Sequence, residues 1–453
     1  MAIFAKTALL PEGWAQDVRI EIADGRIGTL RIDTQPAPDD ARVDRLLPAL
    51  SNLHSHTFQR AMAGMTEYRA HSRDSFWSWR ELMYRFVDRL TPDQVEAIAA
   101  QAFVEMQEAG FAAVGEFHYV HHQPHGTPYD DMAELSLRIF SAAAETGIGL
   151  THLPVLYSYG GVSKAALSGG QLRFGTTPEH YLRLVEKARP GLTALPEDAR
   201  LGIAPHSLRA TCPEDLARVL QAHGGGPVHI HVAEQLREVT EVEGWLGARP
   251  VEWLLDHADV GPDWCLVHAT HMTDRETRAV AESGAVAGLC PITEANLGDG
   301  PFNGPAYLEA GGVFGVGSDS NVQISLTGEL RMLEYSQRLR DMARNVLVRD
   351  GKSVGETLYT GAARGGAQAL GRDAGEIRVG ALADLVAIDG TAATLCGLTD
   401  RSLIDGFVFA ASDTVVTDLW SAGRHRVRGG RHVAREAIEA RFRHAMTKLT
   451  ADL

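Results

Sequence analysis

Two histidines separated by one residue, His54 and His56, close a short apolar run and share a face if that run is a strand. Two imidazoles on one face can reach a single cation through their ring nitrogens. With 19 histidines in 453 residues, about 0.8 such pairs arise by chance, so the pair alone carries little weight. Histidines hydrogen-bonded at a strand end are the plain alternative. Other apolar runs, however, also end on polar residues. His229-Ile230-His231 is followed by Glu234, a further run closes on His268, and another on Asp319. Three imidazoles and a carboxylate are the nitrogen and oxygen donors that hold Zn²⁺ or Fe²⁺, with water completing the site. Such an ion lowers the pKa of its water towards about 7. Glu234, three residues past His231, suits a proton shuttle beside that water, or a carboxylate at a helix N-terminus. Spacing leaves both His229 and His231 open as the ligand.

Donors so far apart in the chain need a scaffold that gathers strand ends at one rim. Eight apolar runs read as strands: 46–53, 112–119, 148–157, 200–205, 228–232, 264–268, 285–290 and 313–317. Stretches of helical period lie between most of them, for example 92–108, 131–145 and 213–222. Alternating units of this kind predict an α/β chain folded as a (β/α)₈ barrel with its site at the C-terminal strand ends. A doubly wound sheet has the same periodicity. Both ends of the chain are β-rich. The segments 17–23 and 26–32 alternate around an Asp24-Gly25 turn, and 375–378, 384–388, 414–421 and 424–433 do so after a helical stretch near 354–370. The expected organisation is a barrel over 48–375 and a small β-sandwich accessory domain from 1–47 with 376–433. A terminal helix over 434–453 completes it.

Hydrophobic residues make up 45% and charged residues 22%, which excludes a disordered chain. Lys+Arg is 43 against Asp+Glu 58, and a net charge of -15 argues against nucleic-acid or anionic-membrane partners. No apolar run approaches the ~18 residues that span a bilayer. Residues 1–10 are broken by Lys6 and followed by Pro11, unlike a secretory signal. Cys212, Cys265, Cys290 and Cys396 form no C-x-x-C pair, which suits a reducing, cytoplasmic setting.

The run 48–56, His231-x-x-Glu234, His268 and Gly317-Ser318-Asp319-Ser320 resemble the amidohydrolase superfamily, and 380–386 resembles its re-entry strand into the accessory domain. That resemblance covers nearly the whole chain. It implies one divalent metal per chain, with zinc expected and iron the alternative, held by His54, His56, His231 and Asp319. It assigns Glu234 and His268 as the catalytic acid/base pair, with Asp319 or His268 taking the water's proton and Glu234 delivering protons to the departing nitrogen. His231 is preferred over His229 because it stands three residues before Glu234, as in the superfamily's deaminases. Members with two metals bridge them with a Lys or Glu on the fourth strand. Here that strand ends Ala204-Pro205-His206-Ser207, implying one metal.

Longer segments, 52–64, 74–84, 116–122, 206–209 and 293–300, resemble the formiminoglutamate deiminase family. This implies hydrolysis of N-formimino-L-glutamate to N-formyl-L-glutamate and ammonia in histidine degradation, by a homodimer acting on a small molecule. Consistent with that, the long stretch 58–90 carries Phe76, Trp77, Trp79 and Tyr84, an aromatic set fit to cover a site. Arg80 and Arg209 offer forked donors matched to two carboxylates, or are surface ion-pair residues. Gln59, Tyr119 and His206 are expected to hydrogen-bond the substrate. The cluster His118, His121 and His122 receives no role. Two other readings stand beside this one: a deaminase of a purine, pterin or triazine ring, and an inactive relative serving as a binding protein. The second predicts loss of a ligand or of Glu234, and all are present.

Overall fold

The computed structural model describes residues 1–67, 76–349 and 351–451, without the side chains of 76–78 and 81. Four strands open the chain: β1 (Ala2–Leu10), β2 (Gly13–Ala23), β3 (Arg26–Arg31) and β4 (Ala41–Pro48). The barrel follows with β5 (Leu50–Ser55), β6 (Phe111–His118), β7 (Gly149–Leu156), β8 (Arg200–Leu201) and β9 (Ala204–Pro205). It continues through β10 (Val228–Val232), β11 (Trp264–His268), β12 (Val286–Leu289) and β13 (Val313–Val316). The chain then returns to the first sheet with β14 (Leu385–Ile388), β15 (Val416–Ser421), β16 (Arg424–Arg428) and β17 (Arg431–His432).

Parallel ladders join β5-β6-β7-β8 and β10-β11-β12-β13, and β9 extends β7. Two parallel bridges, Ile203–Val228 and Ser55–Asp319, close these arcs into a ring. β5, β6, β7, β10, β11 and β12 are buried along their whole length, as a parallel sheet wrapped by helices demands. The wrapping helices begin where their sequence says they should. Thr91 with Gln94, and Thr273 with Glu276, form reciprocal caps ahead of helices Pro92–Ala109 and Asp274–Ser283.

The accessory strands form one eight-stranded sheet, ordered β17-β16-β15-β14-β4-β1-β2-β3. It curls on itself. Ile27 of β3 shares a buried cluster with Leu385 and Trp420 from the other half, and its N–H donates to Ala381 O at 2.9 Å.

The structure departs from the expected elements in five places. The run 46–53 is not one strand: Leu46 and Leu47 pair with β14 in the accessory sheet, and pairing with β6 starts at Leu50. Pro48 ends the first ladder because it has no N–H to donate. The run 200–205 splits into β8 and β9. The segment 375–378 makes no ladder, and 424–433 is broken by a turn into β16 and β17. An unforeseen helix, Asp400–Phe409, lies between β14 and β15 and buries Leu403, Ile404 and Phe407 in the barrel-side core.

The two bodies are joined by a buried charge cluster. Fully buried Arg372 reaches Asp198 at 3.0 Å and Asp384 at 2.8 Å, while Arg424 reaches Asp198 at 2.7 Å. Removing Arg372 leaves Asp384 charged without its guanidinium in a dry setting, and Asp198 with Arg424 alone. Arg372→Ala is therefore expected to lower the unfolding free energy by about 3–5 kcal/mol in urea titrations. A loss under about 1 kcal/mol would show that water replaces the guanidinium.

Candidate active site

The rim at the C-terminal strand ends gathers the polar residues. His54 lies in β5 with His56 just beyond it, His231 is in β10, His268 ends β11, and Asp319 follows β13. The ring nitrogens of His54, His56 and His231 lie within 4.8 Å of one another. Nε2 of His231 is 3.1 Å from Nε2 of His54. Oδ1 of Asp319 is 3.4 Å from His54 Nε2 and 3.2 Å from His56 Nε2. At His56 and His231 the Nδ1–H donates to backbone carbonyls, Phe117 O at 2.9 Å and His206 O at 3.0 Å. Those bonds fix the tautomer, so both Nε2 atoms present lone pairs inward.

Lone pairs facing one another and a carboxylate repel unless a cation is shared among them. Burial holds two of the imidazoles neutral, with His54 pushed down to about 3 and His231 well below its usual value. Burial also opposes ionisation of Asp319, but the two adjacent imidazoles outweigh it and hold the carboxyl well below its usual range. Neutral imidazoles with an ionised carboxylate are the protonation states a divalent metal requires, so this donor set fits one.

The backbone is bent to make this possible. Ala233, His268, Ala269, Asp319 and Asn321 all take positive φ, between 45° and 69°, an unusual concentration of strain for non-glycine residues. A Cβ at Gly317 would lie 2.7 Å from His54 O and 2.8 Å from His54 N, so only glycine lets the end of β13 press against β5. That approach sets the bonds Asp319 N–H to His54 O and His56 N–H to Asp319 O, both 2.9 Å. Beneath it, the Asn321 amide donates to Ser55 Oγ, His56 O and Asp319 O, each at 3.1 Å.

Glu234 Oε1 stands 3.8 Å from His268 Nε2. Burial pushes Glu234 up to about 7, opposed by His268 and Arg209, so the carboxyl can accept and return a proton near neutrality. For His268, burial acts downward, but Glu234, Glu294 and Asp319 prevail and raise it to about 10. The backbone N–H groups of Ala233 and Glu234 both donate to Glu238, at 3.1 Å, which fixes the turn carrying Glu234.

A cleft of about 530 Å³, open to solvent, lies over this centre. Its walls include His56, Gln59, Arg80, Tyr119, His206, Arg209, His231, Glu234, His268 and Asp319, so ten of the eleven residues expected at the site meet there. The eleventh, His54, is fully buried beneath. Gln59 donates to the Tyr119 hydroxyl at 2.6 Å, and His206 Nδ1 is 2.9 Å from Ser207 Oγ. Arg80 lies on helix Phe76–Val87, which presents Trp79, Met83 and Tyr84 to the same cleft. The side chains of Phe76 and Trp77, also expected in that cover, lie outside the described residues, as do Asp74 and Ser75. His229, the alternative ligand, instead reaches Ala369 O at 2.7 Å. His121 and His122 reach the carbonyls of Val155 and Gly175, so these two serve packing.

Four carboxyls and amides escaped the sequence reading. Glu294 accepts from His268 Nδ1 at 3.2 Å and from Cys290 N–H at 2.9 Å, and so aims the imidazole. Its signal was available: it sits four residues past the seventh apolar run. Glu116 accepts from the Thr57 N–H at 3.0 Å and hydroxyl at 2.7 Å, directly after His56. Glu238 and Gln171 act across loops, and nothing in their local sequence marks them.

Comparison with known proteins agrees with this arrangement. Residues 45–426 match the model described as Amidohydrolase family. The chain belongs to the amidohydrolase family. Residues 1–44 match a second model, described as Formimidoylglutamate deiminase HutF, N-terminal domain. A formimidoylglutamate deiminase from Pseudomonas aeruginosa is 50% identical over 451 residues, 99% of each chain. A 5'-deoxyadenosine deaminase from Methanopyrus kandleri is 26% identical, covering 97% of this chain and 96% of that one. Among solved structures, an amidohydrolase from Brucella melitensis superposes with a TM-score of 0.95 at 50% identity, covering 99% of both chains. An adenosine deaminase from Xanthomonas campestris with bound zinc, at 21% identity and a TM-score of 0.80 over 99% and 98% of the chains, shares the fold. The amidohydrolase family is metal-dependent, and the three-histidine group lies where this member would hold its ion.

Proposed function

We propose that this amidohydrolase hydrolyses N-formimino-L-glutamate to N-formyl-L-glutamate and ammonia, a step of histidine degradation. The observation that carries the reading is the 50% identity to a formimidoylglutamate deiminase across 99% of the chain. The cleft supports it, since two arginines flank a general acid/base and a metal-donor set. His54, His56, His231 and Asp319 are proposed to hold one divalent ion per chain, zinc by preference. When bound, that ion acidifies a water and supplies the nucleophile at neutral pH.

The chain's own residues do the rest. Arg80 and Arg209 bind the carboxylates, with Gln59, Tyr119 and His206 hydrogen-bonding the rest of the substrate. This sets the formimino carbon over the metal donors. Glu234 takes one proton from the attacking water and then the second from the hydroxyl of the tetrahedral carbon, passing each in turn to the departing nitrogen. His268, aimed by Glu294, orients the nucleophile and faces the charge that develops at the tetrahedral carbon. Ammonia leaves, and Glu234 returns to its starting state. The reading also carries the division into 1–47 with 376–433, 48–375 and 434–453, a cytoplasmic location and a homodimer. Among the described residues no helix is long and apolar enough to cross a membrane.

The direct test is ammonia release from N-formimino-L-glutamate by metal-loaded enzyme, with guanine or another ring amine as comparison. Ring turnover exceeding that of the linear substrate would overturn the assignment. Arg80→Ala and Arg209→Ala should each raise KM about 10- to 150-fold with unchanged metal content, the worth of a charge-assisted bond to a carboxylate. Lysine at either position should restore only part, because a point charge cannot reproduce the fork.

A further inference from the structure

The cleft is also walled by Tyr84 and Tyr157, and both hydroxyls are set by one amide. Gln171 lies in the short helix Gly169–Arg173. Its Oε1 accepts from the Ser168 N–H at 3.0 Å, which fixes which way the amide faces. Nε2 therefore points to the Tyr84 hydroxyl at 3.2 Å, the Tyr157 hydroxyl at 3.3 Å and Gly160 O at 3.2 Å. The approach is close: a Cβ at Gly170 would fall 2.8 Å from Tyr84 Cβ and 2.9 Å from Tyr84 O.

An amide N–H only donates, so both phenol oxygens act as acceptors towards Gln171, and their own protons must go elsewhere. Even where one hydroxyl donates to the other, a second proton remains for the cleft. Burial raises the Tyr84 hydroxyl above its ordinary value, so it stays a neutral donor at working pH. Its ring has the Arg80 guanidinium at 5.5 Å, and Arg209 lines the same cleft. A directed O–H beside two guanidiniums suits an anionic oxygen and offers little to a neutral amide or a cation.

The geometry points to the Tyr84–Tyr157 hydroxyl pair, oriented by Gln171, as an additional donor for one carboxylate of the substrate. Gln171 is then a positioning residue that acts through the tyrosines. This rests on the reading of the substrate as a formimino dicarboxylate, and it adds a specificity element to the two arginines.

The test compares wild type with Tyr84→Phe/Tyr157→Phe and with Gln171→Met. The substrates are N-formimino-L-glutamate and two analogues, N-formimino-4-aminobutyrate and N-formimino-2-aminobutyrate, each lacking one carboxylate. Losing one charge-assisted bond should raise KM for the dicarboxylate about tenfold or more, with kcat within about threefold and metal content unchanged. For the analogue that lacks the recognised carboxylate, the penalty should vanish, and for the other it should persist. Gln171→Met should follow the same pattern, and adding it to the double tyrosine variant should cause no further loss. Equal penalties on all three substrates, or a loss confined to kcat, would overturn the inference. If the tyrosine variant does not fold, Gln171→Met decides alone by the same pattern. Wild type that releases no ammonia from N-formimino-L-glutamate would instead overturn the substrate reading itself.

Discussion

His231→Ala is expected to purify with well under one equivalent of metal per chain and to lose at least about 10⁴-fold in kcat. Three ring nitrogens within 4.8 Å, plus the Asp319 carboxylate, make the proposed donor set, and backbone carbonyls fix the tautomers of His56 and His231. Removing one ring leaves too few donors to hold an ion against water and chelators. Without the ion, water keeps its own pKa near ~16 in place of ~7, and hydroxide at neutral pH is negligible. His229→Asn is the informative control. His229 lies two residues earlier on the same strand but bonds Ala369 O, so its replacement should leave metal content near one equivalent. Metal analysis with an ammonia assay reads both. Full metal and near-normal turnover in His231→Ala would remove that residue from the site.

Glu234→Gln should retain metal and a near-normal KM while kcat falls by about 10²–10⁴. The amide keeps the shape of the carboxyl but can neither accept the water's proton nor deliver it to nitrogen. The backbone turn is held by Glu238 rather than by the Glu234 side chain, so the fold at this point should survive. Single-turnover kinetics on metal-matched protein would make the comparison clean. A variant within tenfold of wild type would show that another group carries the proton, with His268, 3.8 Å from Glu234, the first to examine.

Much of this site was legible because the barrel converts sequence order into spatial order. A polar residue at the end of an apolar run lands at the rim, and that rule points to His54, His56, His268 and Asp319, while resemblance separates His231 from His229. The same rule missed Glu294, since it extends from a loop helix after Cys290 and reaches back to His268. Gln171 was invisible for a different reason. Its partner Tyr157 opens the same connection after β7, but Tyr84 comes from the helix Phe76–Val87, and no local pattern encodes their meeting. Strand limits failed where periodicity runs on: 46–53 is apolar apart from Ser51 and Asn52, although Pro48 divides it between two sheets. The helix Asp400–Phe409 was missed because the flanking accessory strands set the expectation for that segment.

The ring of strands has a seam, and the chemistry sits on it. β5 and β13 meet through one parallel bridge, at Ser55 and Asp319, under the close approach that Gly317 permits. His54 and His56 come from one side of that join and Asp319 from the other. An ion shared by them would work as a rivet: its bonds to these three residues tie the first barrel strand to the last, and its bond to His231 adds β10. Forces that pry the barrel open and forces that strip the ion act on the same few contacts. Stability and reactivity in this chain are therefore not separable quantities, and a change that loosens the join should be felt in both at once.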